Sequence, residues 1–168
     1  AKDWVEEPDE DLEGMDKYGK RRWYRREFER ISQNSMYALW KYVWYKEPDL
    51  PGGEGKYEPT LAMVFLAYLV DDGRSGKIGK GRQITSTTTI TAIAIIKMIT
   101  RVNYHCKLIA CDLATTEEIF EDKLKYAFGR LPMWAKPIVN NDKDNMFRVV
   151  FDSSKKKGSS CRHSKTMR

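Results

Sequence analysis

Apolar positions recur along this chain at helical spacing in some stretches and as short unbroken runs in others. Between Arg22 and Lys46, Tyr24, Phe28 and Ile31 share one stripe, and Met36, Trp40 and Val43 share another. This predicts one or two helices with a break near Gln33 and Asn34. "TLAMVFLAYLV" is apolar nearly throughout and reads as a buried helix. "CKLIACD" and "NMFRVVF" are short apolar runs and read as strands. Between them, "TTEEIFEDKLKYAFG" carries helix signals. Thr115 or Thr116 can cap its start, Glu117 and Glu118 suit its first turn, and Gly129 can end it. Ile119, Phe120, Lys123, Leu124 and Ala127 fall on one side.

Breaks separate these segments. "PDLPGGEGKYEP" holds three of the six prolines and three of the eleven glycines, so it reads as a loop. "DDGRSG" is a turn, "RLPMWAKP" an irregular corner, and "DSSKKKGSS" a further turn. "STTTITAIAII" stays open between helix and strand. Ile90, Ile93, Ile96 and Lys97 follow helical spacing and Ala92 and Ala94 favour helix, but the β-branched residues weaken that preference. The alternation of strand and helix predicts an α/β layer with parallel pairing, preceded by an N-terminal helical segment. The expected division is an acidic-then-basic arm at 1–21, helices and a loop at 22–55, an α/β domain at 56–152, and a basic tail at 153–168.

Composition narrows the class. With 168 residues, 41% hydrophobic and 32% charged, the chain has globular composition and length for one core. Its most apolar stretch, Ile90 to Ile99, is broken by Thr91 and Lys97, well short of the roughly 20 apolar residues of a membrane span. The polar, acidic start shows no signal-peptide pattern. Three cysteines at loose spacing fit a reduced, intracellular protein better than a disulfide scaffold. His105, Cys106, Cys161 and His163 lack the paired spacing of a zinc site.

The charge is uneven. Of the thirty Lys and Arg, six lie in 153–168, which holds no acid, so the other 24 balance the 24 acidic residues. Lys155, Lys156 and Lys157 in this tail are candidate contacts for a nucleic-acid backbone. Lys20, Arg21, Arg22, Arg25 and Arg26, beside Trp23 and Tyr24, are a second candidate set. The alternatives are a solvated end and the charged outer face of an amphipathic helix.

"GKIGKGRQITSTTTITAIAII" has the outline of a phosphate-binding loop. Such a loop leaves a strand, turns tightly and enters a helix whose first N–H groups face an anion. Glycine allows the turn, a basic side chain neutralises the phosphates, and a hydroxyl helps hold Mg²⁺. Ile78 marks a short strand candidate, Lys80 and Arg82 supply charge, and Ser86, Thr87 and Thr88 supply hydroxyls. The usual lysine is missing, with Ser86 in its place.

In order along residues 56–168, "GRQITSTTT", "KLIACDLATTEEIFEDKLKYAFGRLPMWAKP" and "NMFRVVFDSS" resemble the ATPase domain of tailed-phage terminase large subunits. These are the motors that pump DNA into a preformed capsid. The family's phosphate loop carries Arg-Gln, then Gly, then paired Ser/Thr. Its next helix ends in a Leu-Pro, Trp, Lys-Pro corner, matched here by Leu131-Pro132, Trp134 and Lys136-Pro137. The resemblance implies a partial P-loop NTPase-like parallel sheet with flanking helices, and a nucleotide site of Lys80, Arg82, Gln83, Thr85, Ser86, Thr87 and Thr88. Arg82 would take the lysine's work on the phosphates of ATP, Gln83 would shape the loop, and Thr87 would reach Mg²⁺ through its hydroxyl.

Thr85 departs from the pattern, standing where the family places Gly. A β-branched residue resists positive φ and crowds a phosphate. The resemblance also places the Walker B acids, the catalytic glutamate and the nuclease domain beyond Arg168. Asp112 and Asp152 end strands but do not match the Walker B position. Weak ATP binding and little hydrolysis are therefore expected of this chain alone. Its implied partners are the remaining part of the large subunit, double-stranded DNA, and the portal or small terminase subunit, in the host cytoplasm. An incomplete sheet would leave an edge open to self-association. The competing readings are a non-enzymatic DNA- or protein-binding module derived from a terminase, and a small kinase-like enzyme. The latter is disfavoured because no catalytic acid motif is readable.

Overall fold

In a computed structural model of the chain, the described residues are 12–46, 51–58, 60–73, 86–108, 112–143, 146–152 and 157–163. Helix α1 (Lys17–Gln33) starts where the Asp16 carboxylate accepts from the Gly19 amide at 2.6 Å. The basic part of the expected arm is thus helical from Lys17 onward. The break falls at Asn34, an extended residue whose side chain accepts from the Tyr37 amide at 2.9 Å and caps α2 (Ser35–Tyr42). Asn disfavours the helix interior and serves well as an N-cap, so one residue ends one helix and starts the next.

Helical spacing misplaces one residue of α2. Val43 is buried, but Trp40 is 55% exposed, and Ala38 and Leu39 fill the core instead. The chain then leaves the helix earlier than expected. β1 (Trp44–Lys46) pairs antiparallel with β2 (Glu54–Lys56), so the Pro- and Gly-rich stretch encloses a short strand. Gly52 and Gly53 in its turn have φ of 89° and 73°, which only glycine adopts readily.

Thr60 caps α3 (Leu61–Asp71) by accepting from the Met63 amide at 3.4 Å. The helix is buried on only one side. Met63, Leu66 and Ala67 face the core, whereas Leu61, Val64, Phe65 and Tyr68 are exposed. The open "STTTITAIAII" stretch is helix α4 (Ser86–Thr100). Every residue from Thr91 to Ile99 is buried, and α1, α2, α3 and the sheet all pack on it. The core position overrides the β-branched preference. Two of its hydroxyls bond within the helix: Thr91 donates to the Thr87 carbonyl and Thr100 to that of Ile96, each at 2.7 Å.

After a turn in which Asn103 has φ 62° comes β3 (His105–Leu108). The next helix is capped by Asp112, not by Thr115 or Thr116. The Asp112 carboxylate accepts from the Thr115 amide and hydroxyl at 2.7 and 2.8 Å. α5 (Leu113–Glu118) widens into a π-helical segment (Ile119–Lys125) and ends as α6 (Tyr126–Gly129). Phe120, Leu124 and Ala127 are buried on its expected apolar side. A 3₁₀ turn at Met133–Ala135 forms the corner.

β4 (Ile138–Lys143), β5 (Met146–Asp152) and β6 (Lys157–His163) complete a four-stranded sheet in the order β3-β6-β5-β4. The molecule is a mixed helix-and-sheet fold, but not the expected all-parallel layer. Only β3 and β6 run parallel; β6–β5 and β5–β4 are antiparallel. The physical reason is connection length. Residues 153–156 between β5 and β6 are too few for a crossover and dictate a hairpin. The stretch read as a basic tail therefore contributes an interior strand, paired on both sides. No helix among the described residues is long and apolar enough to cross a membrane.

Candidate functional site

The expected phosphate loop meets the described structure at the first turn of α4. Lys80, Arg82, Gln83 and Thr85 lie outside the described residues. Ser86 opens the helix, and Thr87 and Thr88 follow half-buried. No acidic residue occupies this turn, so its N–H groups keep the positive end of the helix dipole.

Two side chains from other elements hold the turn. The Tyr57 hydroxyl, just past β2, hydrogen-bonds the buried Thr89 hydroxyl. Burial pushes the Tyr57 phenol up to about 12; the Thr89 bond acts against this, and nearby Tyr45 adds to it. Tyr57 therefore stays neutral and structural at ordinary pH. Lys123, from the π-helical segment, donates to Thr88 Oγ1 at 3.1 Å. A cation is unfavourable at a helix N-terminus unless an anion shares the site. Lys123 thus supplies positive charge to the same turn as the predicted hydroxyls.

Sequence reading placed Lys123 on the apolar side of its helix and gave it no role. The signal was a lysine in an otherwise apolar stripe. Its partner, 35 positions earlier in the chain, was not readable. The arrangement suits an anion: hydroxyls, the N–H groups of a helix start and an ammonium meet at one turn. Thr87, the residue expected to reach Mg²⁺, lies in that turn. Among the described residues no group of three or more His, Cys, Asp or Glu could hold a metal ion. Asp112 is occupied as a helix cap. His105 and Cys106 are consecutive in β3 and so point to opposite faces; His105 Nδ1 bonds Ser160 Oγ at 2.9 Å.

The second candidate set lies on α1. Lys20, Arg21, Arg22, Arg25 and Arg26 are all exposed, and Arg25 pairs along the helix with Glu29 at 3.6 Å. Lys17, Lys20 and Arg21, with Met15 and Tyr24, line an open hollow of about 450 Å³. The neighbouring aromatics are not free for base stacking. Trp134 of the corner stacks on Tyr24 at 5.5 Å between ring centroids and meets Trp23 and Tyr42 edge-on at 5.7 and 5.4 Å. Lys155 and Lys156 lie outside the described residues, and the backbone of Lys157 opens β6.

Beneath α1 sits a buried carboxylate that no sequence signal announced. Glu27, 2% exposed, accepts from the Tyr37 and Tyr42 hydroxyls at 2.5 and 2.6 Å and from Lys41 at 3.2 Å. Burial raises its pKa, but these bonds outweigh burial and hold it below the usual carboxylate range. A second knot joins three helices. Buried Lys97 of α4 donates to Asp71 of α3, whose carboxylate also accepts from the Ser35 amide and hydroxyl at 2.9 and 2.6 Å. There too the hydrogen bonds overcome burial and lower the Asp71 pKa. Both knots are structural and separate from the α4 turn.

No known family model matches the chain, and no curated protein matches it either.

Proposed function

We propose that the chain is the N-terminal part of the ATPase domain of a phage terminase large subunit, and that the first turn of α4 receives the phosphates of ATP. One observation carries the site: Lys123 holds its ammonium on Thr88, at an acid-free helix N-terminus that already favours an anion. The ordered motifs from Arg82-Gln83 through Lys136-Pro137 support the family. In this reading the parallel pair β3–β6 belongs to the sheet of a larger ATPase domain, and β4 and β5 extend it.

Lys123, Thr87, Thr88 and the amides of the α4 turn would hold the phosphates, with Arg82 from the preceding stretch of sequence. Bound Mg²⁺–ATP would supply the phosphoanhydride whose hydrolysis drives packaging. This chain's residues bind and orient the nucleotide; the acids that complete hydrolysis are expected elsewhere in the motor.

Titration with a fluorescent ATP analogue tests the site. Arg82→Ala is expected to abolish detectable binding, and Lys123→Ala to raise Kd about tenfold, the loss of one charge-assisted contact. Wild-type protein that fails to bind at millimolar nucleotide, or two variants with unchanged affinity, would overturn the reading.

The exposed cationic row of α1 favours a second reading, a nucleic-acid-binding module. Its measurement is the salt dependence of duplex DNA binding. Each phosphate contact contributes a slope of about −0.9 in log K against log salt. Arg21→Ala with Arg22→Ala should flatten that slope; an unchanged slope removes α1 from the interface.

A further inference from the structure

Two of the chain's three cysteines fall on directly paired positions of the sheet. Cys106 of β3 and Cys161 of β6 are register partners where these strands run parallel. Their sequence spacing hides this, because α5, α6, β4 and β5 all lie between them. The pair before them in the ladder shows that side chains of register partners meet here. His105 and Ser160 are partners, and His105 Nδ1 bonds Ser160 Oγ at 2.9 Å. The backbone holds the same register, with the Ser160 amide donating to the Tyr104 carbonyl at 3.0 Å. One residue on, a strand alternates to its opposite face. Cys106 and Cys161 therefore share one face of the sheet, and His105 and Ser160 share the other. Cys106 is half-buried against the core. β3 is the end strand of the described sheet, whereas β6 is interior.

We propose that Cys106 and Cys161 are a reversible dithiol–disulfide pair that locks β6 to β3 on oxidation. Neighbouring strands lie about 4.8 Å apart, inside the roughly 4.4–6.8 Å that a disulfide spans between Cα atoms. Side chains of a parallel pair stand side by side, so their Cβ atoms are about as far apart as the strands. That is slightly beyond the ~4.5 Å limit of a relaxed disulfide. Such a bond closes but is readily reduced, which makes it a switch rather than a scaffold. The oxidant is a small-molecule disulfide such as oxidised glutathione. Cys106, on the end strand, attacks as its thiolate, forms a mixed disulfide and expels one glutathione thiolate. The Cys161 thiolate then attacks the Cys106 sulfur and expels the second. The two protein thiols give up two protons and two electrons, and the small disulfide becomes two thiols. The new bond closes a loop over all the intervening chain, which restricts the unfolded state and stabilises the sheet. The inference does not depend on the nucleotide reading.

Intact mass of the native full chain, before and after incubation with oxidised glutathione, tests it. The expected product has lost the mass of two hydrogen atoms, stays one chain, and yields a Cys106–Cys161 linked peptide on digestion. Excess reduced glutathione should restore both thiols. The oxidised chain should melt at least about 5 °C higher than the reduced one. Cys161→Ser should instead trap glutathione on Cys106, and Cys111→Ser should behave like the wild type. A mass that does not fall, or a bond through Cys111 or between two chains, would overturn the pairing. A bond that resists excess reduced glutathione would overturn the switch. Cys161→Ser protein that takes up no glutathione would remove Cys106 as the attacking thiol.

Discussion

Glu27 shows how much one buried side chain organises. Four donors converge on it, from Tyr37, Tyr42, Lys41 and Arg30, and it ties α1 to α2. Glu27→Ala removes the acceptor that the Lys41 ammonium and two phenols share, and is expected to cost about 3 kcal/mol in urea denaturation. Arg25→Ala, at an exposed ion pair, should fall within about 0.5 kcal/mol. The pH dependence follows from the sign of the shifts. Glu27 and Asp71 both titrate lower in the folded chain than in the unfolded one. The stabilisation they give is therefore complete above their unfolded values near pH 4, and fades as pH falls through the folded ones. An acid titration followed by circular dichroism should show stability dropping below about pH 4, and Glu27→Gln should blunt that drop. Little of this was readable beforehand. Lys97 and Lys123 stood out as lysines in apolar stripes, but their partners are 26 and 35 positions away.

Among the elements, legibility tracked how local the cause was. The α1–α2 break was readable because Asn34 acts through its own backbone and side chain. The α4 helix was not decided by its residues, since five threonines and five isoleucines suit strand as well as helix. The corner after α6 was readable as irregular, but not as an anchor. Trp134 sits among Trp23, Tyr24 and Tyr42 and so fastens the corner to the N-terminal helices. Trp134→Ala is expected to cost about 3 kcal/mol and to loosen α1. Hydrogen exchange on α1 amides, together with thermal melting, would check both effects. Trp40→Ala, at a largely exposed site, is the control, with an expected change within about 0.5 kcal/mol.

For the molecule as a whole, the strand β6 matters most. Read as a basic tail, 153–168 should be dispensable for folding. As built, it pairs with β5 on one side and β3 on the other, and α4 packs on it. A chain ended at Asp152 is expected to lose cooperative melting; a truncated chain that melts like the full one would show that β6 is not needed. What the residues determined by themselves was local: the apolar stripes of the helices, the Pro- and Gly-rich turns, the Asn34 break and the hydroxyl-rich start of α4. These follow from backbone preference and spacing, which act over a few positions. Tertiary structure alone decided that α4 is a helix at the centre of the core and that a polar, lysine-led segment is an interior strand. It also decided that Lys123 reaches the α4 turn and that one face of α3 stays bare. Each depends on which distant surfaces meet, and burial and long-range pairing set that choice where local preference is weak or divided.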